Sequence, residues 1–145
     1  YNDNFGHDTG DHLLRLFADL LRENLRDFDV ACRWGGDEFL VMFPHSTSDE
    51  AMVALLRLLD RLNSFGGYAA ELSEYLGFTV QLPKERWLNC SIGVTDSRHL
   101  HDILDDAELL RNADQMLYEV KRNGKGHARQ TSLHRMRDSD NAAVG

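Results

Sequence analysis

The stretch RWGGDEFLVMF, residues 33–43, constrains the fold of this chain more than any other part of it. The apolar and aromatic residues on both sides of it are typical of short β-strands, which we expect over residues 28–34 and 39–43. Between them, Gly35 and Gly36 allow the backbone to turn with positive φ. The stretch therefore predicts a tight antiparallel hairpin.

The tip of this hairpin carries two consecutive carboxylates, Asp37 and Glu38. Carboxylates at a turn do little for the turn itself, but they are good ligands for hard cations. The residues alone leave two interpretations open, an ordinary hairpin with solvated acids and a metal-binding tip.

Three stretches carry apolar residues at three- and four-residue spacing, which is the period of an amphipathic helix. They predict helices over residues 9–26, 50–62 and 102–123, and we expect Asp8 or Thr9 to cap the first. The residues expected to face the core are Leu13, Leu14, Phe17, Leu20, Leu21 and Leu25 in the first helix, Met52, Leu55, Leu56, Leu59 and Leu62 in the second, and Leu104, Ala107, Leu110, Ala113, Met116, Leu117 and Val120 in the third.

Weaker signals fill the rest of the chain. Residues 69–76 predict one or two helical turns, and residues 78–82 and 87–95 predict strands. Gly124 stands where a helix commonly ends in the left-handed conformation. The alternation of strands and helices predicts an α/β fold.

Composition narrows the class of protein further. With 145 residues and 42% hydrophobic content, we expect one domain over residues 1–129 and a polar, mobile tail over 130–145. Cys32 and Cys90 lie in apolar stretches and are interpreted as small buried side chains rather than a disulfide. The net charge of −8 argues against a nucleic-acid-binding surface. No membrane span or signal peptide is recognisable, so we expect a cytoplasmic location without membrane contact.

Five blocks of the sequence resemble the GGDEF family of diguanylate cyclases, in family order. They are NDNFGHDTGDHLL at 2–14, RDFD at 26–29, RWGGDEF at 33–39, SIGV at 91–94 and ADQMLYEVKRNGKG at 113–126. The resemblance implies an α/β sandwich of the nucleotidyl-cyclase type, with a central, mostly antiparallel sheet flanked by helices. The family pattern opens with a strand that carries an acidic metal ligand, and this first central strand is expected to be missing from the sequence.

The resemblance also implies roles for single residues. Asn2 and Asp11 would bind the guanine of GTP, and an ionised Asp11 would reject adenine, which lacks the matching pair of donors. Asp37 and Glu38 would bind Mg²⁺, or Mn²⁺ in its place, and contribute to catalysis. Asp11 has a simpler alternative, since an acid in the first turn of a helix is favoured by the helix dipole.

Four further positions would contact the rest of the substrate. Gly35 and Gly36 would let the backbone approach it, while Lys121 and Lys125 would bind its phosphates. Lys125 replaces the usual arginine of the family, and Gly126 replaces the usual asparagine. Solvated lysines that favour the C-terminal helix dipole are the simpler interpretation of the two lysines.

Arg26 and Asp29 match the RxxD motif of the family's allosteric product site, at the expected spacing from Gly35. An arginine can bind a guanine edge or a phosphate with two donors, and an aspartate can accept from the opposite edge of guanine. The alternative is an ordinary solvated pair of charges.

The resemblance predicts a cyclase that condenses two GTP into cyclic di-GMP at a homodimer interface, with product inhibition. An upstream sensor domain is expected, in a free cytoplasmic protein or in the cytoplasmic part of a membrane-anchored one. Two alternatives remain open: an effector that binds GTP or cyclic di-GMP without catalysis, and a structural dimerisation module.

Overall fold

The computed structural model describes residues 6–64, 66–84, 87–99, 105–126 and 128–130. In chain order the regular elements are α1 (His7–Asn24), β1 (Val30–Gly35), β2 (Glu38–Met42), α2 (Ser48–Ser64), α3 (Ala69–Leu76), β3 (Ile92–Val94), α4 (Asp106–Arg122) and β4 (Ala128–Gln130). The mixture of helices and strands confirms the predicted α/β class. Gln130 lies in β4 rather than in a tail, and the expected tail beyond it lies outside the described residues.

Two compact units make up the chain. The first comprises Tyr1–His45 with Arg57–Asn89, and the second comprises Ser46–Leu56 with Cys90–Gly145. Helix α2 therefore contributes its first part to the second unit and its remainder to the first. In the described part of the chain, the strands form two separate pairs, with β1 antiparallel to β2 and β3 parallel to β4.

The first unit is built on α1, the later part of α2, α3 and the β1–β2 hairpin. The Glu23 carboxylate accepts a hydrogen bond of 2.8 Å from Arg61, which joins α1 to α2. The rings of Phe17 and Phe39 lie 5.0 Å apart and join α1 to the hairpin. The buried apolar residues of the first unit are Leu13, Leu20, Leu21, Leu58, Leu59, Leu62, Tyr68, Leu72 and Val80. The predicted core face of α1 is thus partly confirmed, since Leu13, Leu20 and Leu21 are buried.

Several predicted core positions are exposed instead. Strand β1 is exposed along its whole length, so the prediction of a buried Cys32 is wrong. Leu56 and Leu110, also expected to face the core, are 51% and 36% exposed, and Ala107 is exposed as well. Periodicity identifies residues that share a face of a helix, but it does not tell how far the neighbouring layer extends over that face.

The stretch over residues 78–82 is not a strand, contrary to the prediction. The amide of Val80 donates to the Ser73 hydroxyl at 2.8 Å, so a side chain of α3 takes the place of a ladder partner. The strand predicted over residues 87–95 is limited to β3, and at its predicted start the amide of Trp87 donates to the Lys84 carbonyl in a turn.

Helix ends follow local chemistry closely. Helix α1 begins after Gly6, which has a φ of 87° and provides no side-chain cap, so the predicted caps Asp8 and Thr9 are wrong. Ahead of α2, the Thr47 amide donates to the Glu50 carboxylate at 2.8 Å, and the Glu50 amide donates back to the Thr47 hydroxyl at 3.3 Å. This reciprocal pair is a capping box. It agrees with the predicted start of the second helix.

The second unit packs α4 against the β3–β4 pair. A Cβ atom added to Gly93 would lie 2.2 Å from the Ala113 carbonyl oxygen, which shows how closely the strand approaches the helix. The buried apolar residues of this unit are Ala51, Leu55, Val94, Met116 and Val120. Burial also raises the pKa of the Cys90 thiol to about 12. Among the described helices, none combines the length and the apolar character that crossing a bilayer requires.

Asp96 joins the start of α2 to the segment after β3. Its carboxylate accepts from the Ser48 amide at 2.8 Å and from the Arg98 guanidinium at 2.7 Å. Partial burial would raise the pKa of Asp96, but the hydrogen bonds from Arg98 and Ser48 outweigh burial and hold this pKa well below its usual range.

A carboxyl whose pKa is lowered by folding stabilises the folded state above its unfolded pKa of about 3.9, and that contribution is lost as the pH falls through the folded pKa. Asp96→Asn should therefore lower the free energy of unfolding at pH 7 by about 1–3 kcal/mol. Urea denaturation of the parent and the variant between pH 7 and pH 2 tests this prediction. The two curves should converge at acid pH, and a constant difference over the whole range would contradict the role given to Asp96.

Candidate functional site

The hairpin tip is a two-residue turn, Gly36 and Asp37, between the last residue of β1 and the first of β2. Gly35 pairs with Glu38 across the turn, and the ladder is irregular between Arg33 and Gly35. Gly36 has a φ of 49°, which a residue with a side chain rarely adopts. The Arg33 Nε donates to the Gly36 carbonyl oxygen at 2.8 Å. The predicted hairpin is confirmed, with a side chain of its own first strand bonded to the turn.

Asp37 lies in the turn, and Glu38 is the first residue of β2. Both carboxylates are exposed and are adjacent in the sequence. The described residues contain no group of three or more histidine, cysteine, aspartate or glutamate side chains that could hold a metal ion. This donor set fits Mg²⁺, because Mg²⁺ is usually held by one or two carboxylates and completes its shell with water and substrate phosphates. The metal role of the pair stays a prediction.

Gly35 has no internal reason to be glycine in the described part of the structure. Its φ lies outside the left-handed region, and a Cβ atom added to it would meet no atom within 4 Å. The space above its backbone is therefore open. An approaching ligand remains a physical reason for glycine at this position.

A groove of about 660 Å³ runs between α1 and β1 in the first unit. Asp11 lines it together with Arg26 and Asp29, although the resemblance to the family implies two different sites for Asp11 and for the RxxD pair. The remaining lining residues are Leu14, Arg15, Ala18, Leu21, Arg22, Leu25, Asp27, Val30, Ala31, Cys32, Arg33 and Phe39. A groove of this volume is within the range of small-molecule sites.

The RxxD segment forms a turn at one end of this groove. The Arg26 amide donates to Asp29 Oδ2 at 2.8 Å, and the Asp29 amide donates to the Arg26 carbonyl at 3.0 Å. Within the described residues, Asp29 Oδ1 is buried and has no hydrogen-bond partner. The Arg26 guanidinium lies 5.9 Å from the Phe28 ring centre. Since a buried acceptor without a partner is costly, Asp29 Oδ1 is suited to accept from a ligand.

The two predicted phosphate-binding lysines lie at the end of α4, in the second unit, and both are exposed. Gly124 has a φ of 110°. The Lys125 amide donates to the Val120 carbonyl at 3.1 Å, which is the 6→1 hydrogen bond of a Schellman motif. This confirms Gly124 as the end of the helix. Lys125 itself has a φ of 62°. Phosphate binding by Lys121 and Lys125 stays a prediction, and Asn2 lies outside the described residues.

Sequence reasoning missed the other arginines of the groove, Arg15, Arg22 and Arg33. The signal was present, because Arg15 follows Asp11 by four residues and Arg22 follows Arg15 by seven, and both spacings keep side chains on one face of a helix. What the sequence did not indicate is that β1 lies beside this face.

Comparison with known proteins gives consistent results. Residues 1–127 match the family model described as "Diguanylate cyclase, GGDEF domain". The response regulator PleD of Caulobacter vibrioides is 36% identical over 86% of the chain, and the cyclic di-GMP phosphodiesterase NbdA of Pseudomonas aeruginosa is 33% identical over 88%. The chain spans only 25% and 14% of the lengths of these two relatives.

Among solved structures, the active GGEEF domain of a diguanylate cyclase from Vibrio cholerae superposes with a TM-score of 0.67 at 27% identity. This match covers 91% of the chain and 74% of that structure. It supports the predicted fold.

Proposed function

Because the chain belongs to the diguanylate cyclase GGDEF domain family, we propose that it binds GTP with Mg²⁺ and condenses two GTP molecules into cyclic di-GMP. The observation that carries this proposal is the hairpin tip, where two exposed carboxylates follow a glycine with open space above its backbone. Such a tip can hold a divalent cation and admit a triphosphate in the same place.

The reaction proceeds in two equivalent steps. The 3′-hydroxyl oxygen of one GTP attacks the α-phosphorus of the other, a new P–O bond forms, and the bond to pyrophosphate breaks. The hydroxyl proton leaves to a base, and a carboxylate of the Asp37 and Glu38 pair is the candidate for it. Repeating the step closes the ring and releases a second pyrophosphate. Mg²⁺ bound at the pair would neutralise charge that develops on the phosphate oxygens.

The other residues bind and orient the substrate. Asp11, exposed on the second turn of α1, accepts from the two donors on the guanine edge, and Asn2 contacts the same base. Lys121 and Lys125 add positive charge for the phosphates of GTP. Since each domain holds one GTP, two copies must face each other, and the active form is a homodimer. An upstream sensor domain in a cytoplasmic or membrane-anchored protein would control this encounter.

The product would bind the groove through its RxxD end. Asp29 Oδ1, buried without a partner within the described residues, accepts from a guanine edge, and Arg26 supplies two donors to a guanine or a phosphate. This makes cyclic di-GMP an inhibitor of its own synthesis.

A second candidate is an effector that binds cyclic di-GMP without making it. Lys125 and Gly126 favour it, because they replace an arginine and an asparagine of the family pattern. Incubation of the protein with GTP and Mg²⁺, followed by chromatography for cyclic di-GMP, separates the two. Synthesis supports the cyclase, binding of cyclic di-GMP without synthesis supports the effector, and binding of neither nucleotide supports a structural module.

If the product binds at the RxxD turn, Arg26→Ala should weaken cyclic di-GMP binding at least about tenfold, because it removes two charge-assisted hydrogen bonds. Calorimetric titration measures the affinity, and progress curves measure inhibition. The initial rate should be unchanged, and synthesis should continue past the point where the parent stops. Arg57→Ala, on an exposed arginine of α2 outside the groove, is the control. Unchanged affinity and inhibition in Arg26→Ala would exclude the RxxD site.

A further inference from the structure

The start of α1, which carries Asp11, has weak local support. Gly6 precedes the helix without a side-chain cap, and the Gly10 amide donates to the Gly6 carbonyl at 3.4 Å, which is long for a hydrogen bond. Gly10 lies within the helix although glycine is a poor helix former. Local chemistry alone therefore does not fix the turn from which the Asp11 carboxylate extends.

Tertiary contacts hold this turn instead. Thr9 and Leu13, one helical turn apart, are only 1% and 2% exposed. Between them in the sequence, His12 stacks its ring on that of Tyr75 in α3, with the ring centres 4.1 Å apart and the planes at 9° to each other. Asp11 is two positions from both Thr9 and Leu13, so it lies on the opposite side of the helix, where it is exposed. The contacts of one side of α1 thus set the position of a carboxylate on the other.

Helix α3 is a fixed support for the Tyr75 ring. Leu72, three residues before Tyr75, is completely buried. The Ser73 hydroxyl donates to the Ala69 carbonyl at 2.6 Å and accepts from the Val80 amide at 2.8 Å, which ties the helix to the segment that follows it. A ring that stacks on Tyr75 is therefore held by a short helix that is itself anchored in the first unit.

We propose that the stack of His12 on Tyr75 determines guanine selectivity, because it fixes the turn that presents Asp11 to the base. This inference rests on the proposed contact between Asp11 and guanine. The Cα atoms of His12 and Asp11 are about 3.8 Å apart, as in any pair of consecutive residues, so a shift of one moves the other. Within the described residues His12 makes no hydrogen bond or ion pair, and the stack is the contact through which it acts. His12 and Tyr75 are thus positioning residues.

A displaced carboxylate affects selectivity more than it affects binding as a whole. Hydrogen bonds weaken steeply as their distance and angle depart from the optimum, whereas the attraction between charges and phosphates falls off gradually. Loss of the stack should therefore reduce the preference for guanine and leave most of the affinity for the triphosphate.

The test compares two nucleotides that bind without reacting, 3′-deoxy-GTP and 3′-deoxy-ITP, by calorimetric titration with Mg²⁺. Neither has the attacking hydroxyl, and inosine lacks the exocyclic amine from which Asp11 would accept. The parent should bind the guanine nucleotide about tenfold more tightly. His12→Ala and Tyr75→Ala should each lower this preference to about threefold or less, close to the value of Asp11→Ala. The double variant should lower it no further, because the two rings form one contact.

His12→Phe and Tyr75→Phe each keep an aromatic ring and remove the polar atoms. Both should retain the parental preference to within about twofold, which separates stacking from a hydrogen-bonding role of either side chain. Phe78→Ala is the matched control, since its ring is 57% exposed just after α3 and makes no ring contact among the described residues. Its preference should equal that of the parent.

A general loss of folded protein would weaken both nucleotides equally and leave their ratio unchanged, and thermal melting of each variant measures that loss. The inference is overturned if His12→Ala and Tyr75→Ala keep the parental preference while Asp11→Ala loses it, or if the phenylalanine variants lose it too. A parent without a preference, or a preference that survives in Asp11→Ala, would instead refute the proposed guanine contact of Asp11 and the inference with it.

Discussion

Asp37→Asn and Glu38→Gln are each expected to lower the rate of cyclic di-GMP formation by about a hundredfold to a thousandfold, the usual effect of removing one electrostatic contact to the transition state. Each variant keeps the shape of the side chain and removes one negative charge from the turn. Phosphoryl transfer depends chiefly on charge neutralisation and positioning, so loss of a metal carboxylate acts directly on the barrier.

The same variants should not affect folding. Both side chains are exposed, and exposed substitutions away from caps and buried contacts usually change the free energy of unfolding by less than about 0.5 kcal/mol. Thermal melting tests this expectation for folding. In Mn²⁺ titrations, each variant should bind the metal more weakly than the parent. Glu74→Gln, on an exposed carboxylate of α3, is the control. If both turn variants retained more than about a tenth of the parental rate, the assignment of the turn as the metal site would be wrong.

Local patterns explain why so much of the fold could be predicted. The hairpin follows from a glycine turn between two apolar runs, and this turn pairs Gly35 with Glu38. The capping box of Thr47 and Glu50 and the end of α4 at Gly124 follow from side chains within a few residues of each helix end. These features need no tertiary information.

Burial was harder to predict, because it depends on which layers meet. Cys32 lies in an apolar strand and is nevertheless exposed, and Leu56 continues the apolar stripe of α2 while standing 51% exposed. The segment around Val80 has the composition of a strand, but the Val80 amide donates its hydrogen bond to the Ser73 hydroxyl instead of to a neighbouring strand. In each case a competing partner or a missing neighbour overrides the local preference.

In the candidate site too, local features could be predicted from the sequence and features that depend on tertiary packing could not. The acids of the turn were predictable because glycine, carboxylate and strand residues stand side by side in the sequence. The groove was not, since it depends on the chain reversing after α1 so that β1 lies next to Asp11 and Arg15. The sequence also does not show that Asp29 Oδ1 is buried without a partner. The Arg26 amide donates to the other carboxylate oxygen, Oδ2, within the folded turn.

The largest effect on stability is expected from Gly93→Ala in β3. The added methyl carbon would lie 2.2 Å from the Ala113 carbonyl oxygen and 2.4 Å from the Leu117 amide nitrogen, both on the backbone of α4. Contacts this short cannot be relieved by rotating a side chain, so the helix must move away from the strand. Overpacking usually costs about 1–3 kcal/mol, and a backbone clash belongs at or above the upper end of this range.

Thermal melting of Gly93→Ala should therefore show a decrease in the melting temperature of about 10 °C, because 1 kcal/mol corresponds to roughly 2–8 °C in domains of this size. Gly35→Ala is the matched control, as its added methyl group meets no atom within 4 Å and its φ is not left-handed. It should melt close to the parent and yet lose activity, because the methyl group would occupy the space through which the substrate approaches. Equal melting temperatures for the two variants would mean that β3 and α4 do not pack as closely as the structure describes.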